Sequence, residues 1–133
     1  MQARLPEAAS HGLVAIVDDD PSVRRSLQFA LEVEGFSVRT YATACELLHD
    51  TSLADFRCVV TDQNMPRMTG LDLVSKMRGR SIEVPAILIT GQPNPALRQR
   101  AEQAGVPVVE KPFVGDALLD KIRLVTGRDG NES

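Results

Sequence analysis

The chain has 133 residues, 25% of them charged and 43% hydrophobic, with a formal net charge of −3. That length suits one domain with a single well-buried core. No basic excess is available to neutralise phosphates, so direct nucleic-acid binding is not expected, and no apolar run approaches the roughly 20 residues of a membrane helix.

Residues 1–11 read as a mobile tail without the apolar core of a signal peptide, so cytoplasmic residence is expected. Gly12 opens an apolar run, Leu13 to Val17, that stops at Asp18, Asp19 and Asp20. Asp20-Pro21 is a helix start, with Asp at the N-cap and Pro in the first turn. Val23, Leu27, Ala30 and Leu31 then form one apolar stripe, and Gly35 ends the helix. Phe36 to Thr40 alternates like an edge strand, and a short helix follows over 43–49, capped near Thr43. A third strand is predicted over 56–62, then a loop carrying Met65-Pro66 and a helix over 71–78 with Leu73, Val74 and Met77 inward. A fourth strand spans 84–90, and a helix over 96–104 buries Leu97, Ala101 and Ala104 before Gly105. A short strand over 106–110 and a last helix over 116–126, with Leu118, Ile122 and Val125 inward, complete the domain; 127–133 read as a polar tail. β-branched strands alternating with amphipathic helices point to an α/β fold with a parallel sheet covered on both faces. Cys45 and Cys58 form no CxxC pair and are expected to be reduced packing residues.

The chemistry sits where the strands end. If the strands are parallel, their carboxyl ends share one edge, the usual ligand site of an open α/β sheet. With Asp20 capping a helix, Asp18 and Asp19 are left as an oxygen-only pair suited to Mg²⁺ or Mn²⁺. Taken alone, the run reads better as a solvated acidic turn before a helix. Asp62 ends an otherwise apolar strand and could ligate the same metal and attack phosphorus, forming an aspartyl phosphate; by itself it reads better as a cap or turn residue. Thr90 could donate to a phosphoryl oxygen, with Gly91 allowing a close backbone approach, and Lys111 could pair with the phosphoryl group. Their arrival at successive strand ends is what favours a common site.

Four motifs carry a family resemblance: Val17-Asp18-Asp19-Asp20-Pro21, Val60-Thr61-Asp62 through Met68-Thr69-Gly70, Ile89-Thr90-Gly91 and Glu110-Lys111-Pro112-Phe113. Over about residues 12–126 the chain resembles the receiver domain of bacterial two-component response regulators, in the CheY-like superfamily, nearest to receivers of LuxR/FixJ-type regulators. The resemblance implies a (βα)₅ flavodoxin-like fold of strand order 2-1-3-4-5. It implies Asp62 as phosphoacceptor, Mg²⁺ held by Asp18, Asp19, Asp62 and the backbone carbonyl of Asn64, phosphoryl oxygens held by Thr90 and Lys111, and a cis Lys111-Pro112 peptide. The implied donor is a phosphohistidine on a sensor histidine kinase or histidine phosphotransfer protein. The receiver would catalyse its own transfer and hydrolysis rather than act as a conventional enzyme, with Asn64 and Gln92 bordering the hydrolytic water's path. A downstream protein would bind the fourth helix, fifth strand and last helix, and the implied state is a monomer or a phosphorylation-dependent dimer. One departure stands out: receivers usually carry Tyr or Phe three residues before the lysine, where this chain has Val108.

Other readings meet specific obstacles. A haloacid-dehalogenase-type phosphatase needs a second acid two residues after the nucleophile, where Asn64 stands. A flavodoxin needs a hydroxyl- and glycine-rich loop after the first strand, where three aspartates would repel phosphate. The remaining alternative is a degenerate receiver acting as a phosphorylation-independent interaction module. The polar segment after Thr126 favours a stand-alone receiver over a fragment of a longer regulator, and His11 and His49 read as surface residues rather than phosphocarriers.

Overall fold

The computed structural model describes residues 13–111 and 117–126. Its strands are β1 (Leu13–Val17), β2 (Ser37–Tyr41), β3 (Cys58–Asp62), β4 (Ala86–Thr90) and β5 (Val108–Glu110), all parallel, in the order β2-β1-β3-β4-β5. The helices are α1 (Pro21–Val33), α2 (Ala44–Leu48), α3 (Gly70–Gly79), α4 (Pro95–Gln103) and α5 (Ala117–Thr126). This is the flavodoxin-like α/β architecture expected, with β2 at one edge. None of the described helices is long and apolar enough to cross a membrane.

Period-two alternation divides the core between the two sheet faces. Val14, Ile16, Cys58, Val60, Ile87 and Ile89 face Leu27 and Leu31 of α1 and Leu118 and Ile122 of α5. Ala15, Val17, Val59, Ala86 and Leu88 face Ala44, Leu47, Leu73, Val74, Met77, Leu97 and Ala101 of α2, α3 and α4. Both faces being covered explains why the strands read as continuous apolar runs.

Local chemistry sets the helix ends. Asp20 accepts from Ser22 N at 2.8 Å with Pro21 in the first turn, and Asn94 accepts from Leu97 N at 2.9 Å ahead of Pro95. Thr69 and Asp72 form a reciprocal capping box at α3. Gly35 and Gly105 take the left-handed conformation after α1 and α4, with φ of 98° and 72°.

Several expectations need correction. Ala30 and Ala104 are exposed: Ala30 lies off the inward stripe, and Ala104 is the C-cap, already past the last turn of α4. β3 starts at Cys58 because a 3₁₀ turn, Leu53–Asp55, holds the chain up to Phe56, whose N–H bonds Leu53 O at 3.2 Å. Asn94 extends α4 back to Pro95, while β4 and β5 begin two residues later than expected, at Ala86 and Val108. Cys58 packs in the core, and its burial pushes the thiol pKa up to about 12; Cys45 is exposed and does not serve packing. Residues 1–12, 112–116 and 127–133, with the expected tails, His11, Asp116, Phe113 and the Lys111-Pro112 peptide, lie outside the described residues.

Tyr41 offers a spectroscopic test of this packing. Its hydroxyl donates a short hydrogen bond to Asp50, whose carboxylate also lies 3.4 Å from Arg39. Burial first, then Asp50, raises the Tyr41 pKa to about 12. A raised folded-state value means this contribution to stability is complete below the unfolded pKa near 10 and is lost as pH rises towards about 12. Tyr41 is the only tyrosine and tryptophan is absent, so absorbance at ~295 nm titrates one group. The expected midpoint is near 12 in the wild type and lower in Asp50→Asn; equal midpoints would remove Asp50 from the account.

Candidate functional site

Strand register gathers the polar residues into one row at the carboxyl edge. Val17 pairs with both Tyr41 and Thr61, Asp62 with Ile89, and Thr90 with Glu110. Asp18 and Lys111 each follow a strand by one residue, so Asp18, Asp62, Thr90 and Lys111 end up side by side. Lys111 is fixed there by its own backbone N–H, which donates to Thr90 O at 2.8 Å.

Asp18 is 1% exposed and Asp62 5%, both unusually deep for carboxylates. Asp18 is tightly held: its carboxylate accepts from Asp20 N at 2.9 Å, its N–H donates to Tyr41 O at 3.1 Å, and its carbonyl accepts from the Arg24 guanidinium at 2.7 Å. Asp19 is exposed at the mouth. One carboxylate oxygen from each of Asp18, Asp19 and Asp62 lies within 4.8 Å of the others. The Lys111 ammonium stands 3.4 Å from Asp18 and 3.5 Å from Asp62. Burial first, and the Asp18 charge second, push the Asp62 pKa up; Lys111 and the Asn64 N–H pull the other way.

Three carboxylates therefore face one ammonium. The donor set is oxygen only, and a divalent cation would balance the charge that Lys111 leaves uncompensated. The residues present fit such an ion.

Thr90 is fully buried. Its Oγ1 accepts from Gln92 N at 3.0 Å and from Asn64 Nδ2 at 3.4 Å. A hydroxyl has two acceptor sites and one donor, so the proton of Thr90 is the capacity left over. Asn64 and Gln92 are both exposed beside it. Val108 is half-buried, pairs with Leu88 and packs on the α2–α4 side of the core; beside it an Arg98–Glu110 ion pair at 3.7 Å spans α4 and β5.

Two residues of the Asp62–Gly70 motif to which the sequence assigned no individual role shape the loop between Asp62 and α3. Gln63 is buried, and both its oxygens meet free N–H groups at the start of α3: its backbone carbonyl accepts from Gly70 at 3.2 Å and its Oε1 from Leu71 at 2.9 Å. A lone glutamine in a predicted loop carries no periodic signal. The close-approach glycine is Gly70, where an added Cβ would lie 2.5 Å from Leu88 Cδ1 and 2.7 Å from Asp62 O. An added Cβ at Gly91 would meet only Lys111 Cβ, at 3.9 Å. His49 is exposed, its Nδ1 2.9 Å from Cys45 O, away from the acidic cluster.

Comparison with known proteins agrees with this geometry. The profile of the family described as "Response regulator receiver domain" matches residues 14–123. Transcriptional regulatory protein FixJ of Azorhizobium caulinodans is 33% identical over 120 residues, covering 90% of this chain and 57% of that protein. Nodulation protein W of Bradyrhizobium diazoefficiens is 35% identical over 124 residues, covering 92% and 55% respectively. The chain thus spans little more than half the length of these two relatives. Among solved structures, chemotaxis protein CheY4 of Vibrio cholerae superposes with a TM-score of 0.77 at 31% identity, over 85% of this chain and 97% of that one. Profile, relatives and fold agree that this chain belongs to the receiver domain family of two-component response regulators.

Proposed function

We propose that Asp62 accepts a phosphoryl group from a phosphohistidine on a sensor histidine kinase or histidine phosphotransfer protein. A carboxylate oxygen of Asp62 forms a bond to phosphorus as the phosphorus–nitrogen bond breaks, its electron pair returning to the imidazole. The observation that carries this reading is a buried carboxylate at a strand end, flanked by two more carboxylates and one ammonium. Asp18, Asp19, Asp62 and the Asn64 backbone carbonyl hold Mg²⁺, for which Mn²⁺ can substitute. The chemistry such a cation supplies is charge neutralisation between the carboxylates and the incoming phosphoryl oxygens. Thr90 donates its remaining proton to one phosphoryl oxygen, and the Lys111 ammonium pairs with another. Water later cleaves the aspartyl phosphate, past Asn64 and Gln92, to return the carboxylate and inorganic phosphate. The signal passes to a downstream protein through α4, β5 and α5.

The test is incubation with a small-molecule phosphodonor, followed by intact-mass and peptide mass analysis. One added phosphoryl group is expected with Mg²⁺, none with a chelator in excess, and the mass should map to the peptide bearing Asp62. A wild-type chain that takes up nothing at any Mg²⁺ level would instead be a degenerate receiver.

A further inference from the structure

We propose that Gln63 is a positioning residue for the cation: its side chain braces the loop after β3 so that the Asn64 carbonyl is held ready for the metal. The inference rests on the reading that Mg²⁺ sits among Asp18, Asp19, Asp62 and that carbonyl. Gln63 supplies no ligand in that reading and stands between two residues that do. It is only 7% exposed, and a buried amide must find partners. Its N–H donates to Ile89 O at 2.8 Å, which continues the β3–β4 pairing one residue beyond Asp62. Its carbonyl accepts from Met65 N and Gly70 N, both at 3.2 Å. Its Oε1 accepts from Leu71 N at 2.9 Å, inside the protein. One residue thus joins β4, the loop and the first turn of α3.

The bond from Met65 is the one that reaches the metal site. A peptide unit is planar and trans, so the Met65 N–H and the Asn64 C=O turn together and point to opposite sides. Holding the Met65 N–H on Gln63 O therefore sets where the Asn64 carbonyl points. The Asn64 N–H is held as well, by the Asp62 carboxylate, so both peptide planes flanking Asn64 are fixed. Further along the loop, Arg67 takes a left-handed φ of 73° without being glycine. Such a conformation persists only where surrounding bonds over-determine it. The Gln63 side chain provides one of those bonds: it anchors the residue whose carbonyl orients Met65 to a helix N–H that needs an acceptor.

Two substitutions separate positioning from mere stability. Gln63→Met keeps the length of the side chain and deletes the acceptor. Gln63→Glu keeps an acceptor at the same reach, at a helix N-terminus that favours a carboxylate. Mg²⁺ alone is titrated into isotope-labelled protein, and the backbone amide shifts of Asp62 to Met65 are followed. The midpoint should rise about tenfold in Gln63→Met, the scale on which residues that orient metal ligands act, and stay at or below the wild-type value in Gln63→Glu. The Leu71 amide should exchange with solvent faster in Gln63→Met, with or without Mg²⁺. Saturating Mg²⁺ should return phosphoryl uptake in Gln63→Met to within about twofold of wild type, since only the hold on the cation is weakened. Val74→Ala, a core truncation on α3 that leaves the Leu71 bond in place, should lower the melting temperature and leave the Mg²⁺ midpoint where it was. The proposal is overturned, with the reading of the site intact, if Gln63→Met binds Mg²⁺ like wild type, if Gln63→Glu weakens with it, or if Val74→Ala shifts the midpoint as far. A wild-type chain whose amides ignore Mg²⁺ overturns the reading itself and the proposal with it.

Discussion

Asp62→Asn is expected to abolish phosphoryl uptake and, in the same protein, to raise thermal stability at neutral pH. The first effect follows from the chemistry: the amide is nearly the same shape but lacks the nucleophilic oxygen, so the added mass should vanish. The second follows from electrostatics. Asp62 is 5% exposed and its pKa is raised, above all by burial and then by Asp18. A raised folded-state pKa means that the protonated form is favoured on folding. The associated stability is fully present below the unfolded value of 3.8 and is lost as pH rises through the folded value. The asparagine variant has no such loss. Its advantage should open as pH climbs above about 4 and reach of order 1 kcal/mol at neutrality without a divalent cation. Adding Mg²⁺ should narrow the gap, since a cation bound preferentially by the wild-type folded state stabilises it. Thermal melts across pH, with and without Mg²⁺, read this directly. A variant that is less stable than wild type at neutral pH would contradict the electrostatic account, and one that still takes up phosphate would move the acceptor elsewhere.

Gly70→Ala should destabilise the domain by about 2–3 kcal/mol, as overpacking at a rigid contact does. The new methyl carbon would sit 2.5 Å from Leu88 Cδ1 and 2.7 Å from Asp62 O. The leucine can change rotamer at some cost. The carbonyl cannot retreat without moving the end of β3, the segment that carries the Asp62 side chain. The substitution should therefore lower the urea midpoint and slow phosphoryl uptake together, although residue 70 lies outside the acidic cluster. Gly91→Ala is the control: its methyl meets nothing closer than 3.9 Å, so the urea midpoint should stay near that of wild type. An unchanged midpoint in Gly70→Ala would mean that α3 does not pack against β3 this closely.

The architecture was legible because its signals are local and repeated. Asp20-Pro21 and Asn94-Pro95 announce helix starts by side-chain chemistry alone, and the five-residue runs ending at Val17, Asp62 and Thr90 announce strands. The strand-end residues were legible too, since a parallel sheet makes their convergence a matter of order along the chain. What escaped was tertiary. Ala30 and Ala104 fit the helical period yet lie outside the core, because period alone does not settle how wide the buried stripe is. Gly91 directly follows Thr90 while Gly70 follows Asp62 across the loop 63–69, and only the packing of α3 shows that Gly70 is the one crowded by protein atoms. Gln63 has a polar name and a buried position, a combination that becomes visible only once the N–H groups of Gly70 and Leu71 are seen to need acceptors.

The hydroxyl of Thr90 is shared between two donors from two different loops, Asn64 after β3 and Gln92 after β4. That sharing makes it a junction. Any displacement of Oγ1 towards a group on Asp62 lengthens a bond to Gln92 N, two residues ahead of the Asn94 cap that starts α4. That bond ties the pocket to the loop ahead of α4 through a backbone N–H, with no aromatic side chain between them. With Val108 where receivers usually carry Tyr or Phe, this backbone bond joins Thr90 to the loop that leads into α4.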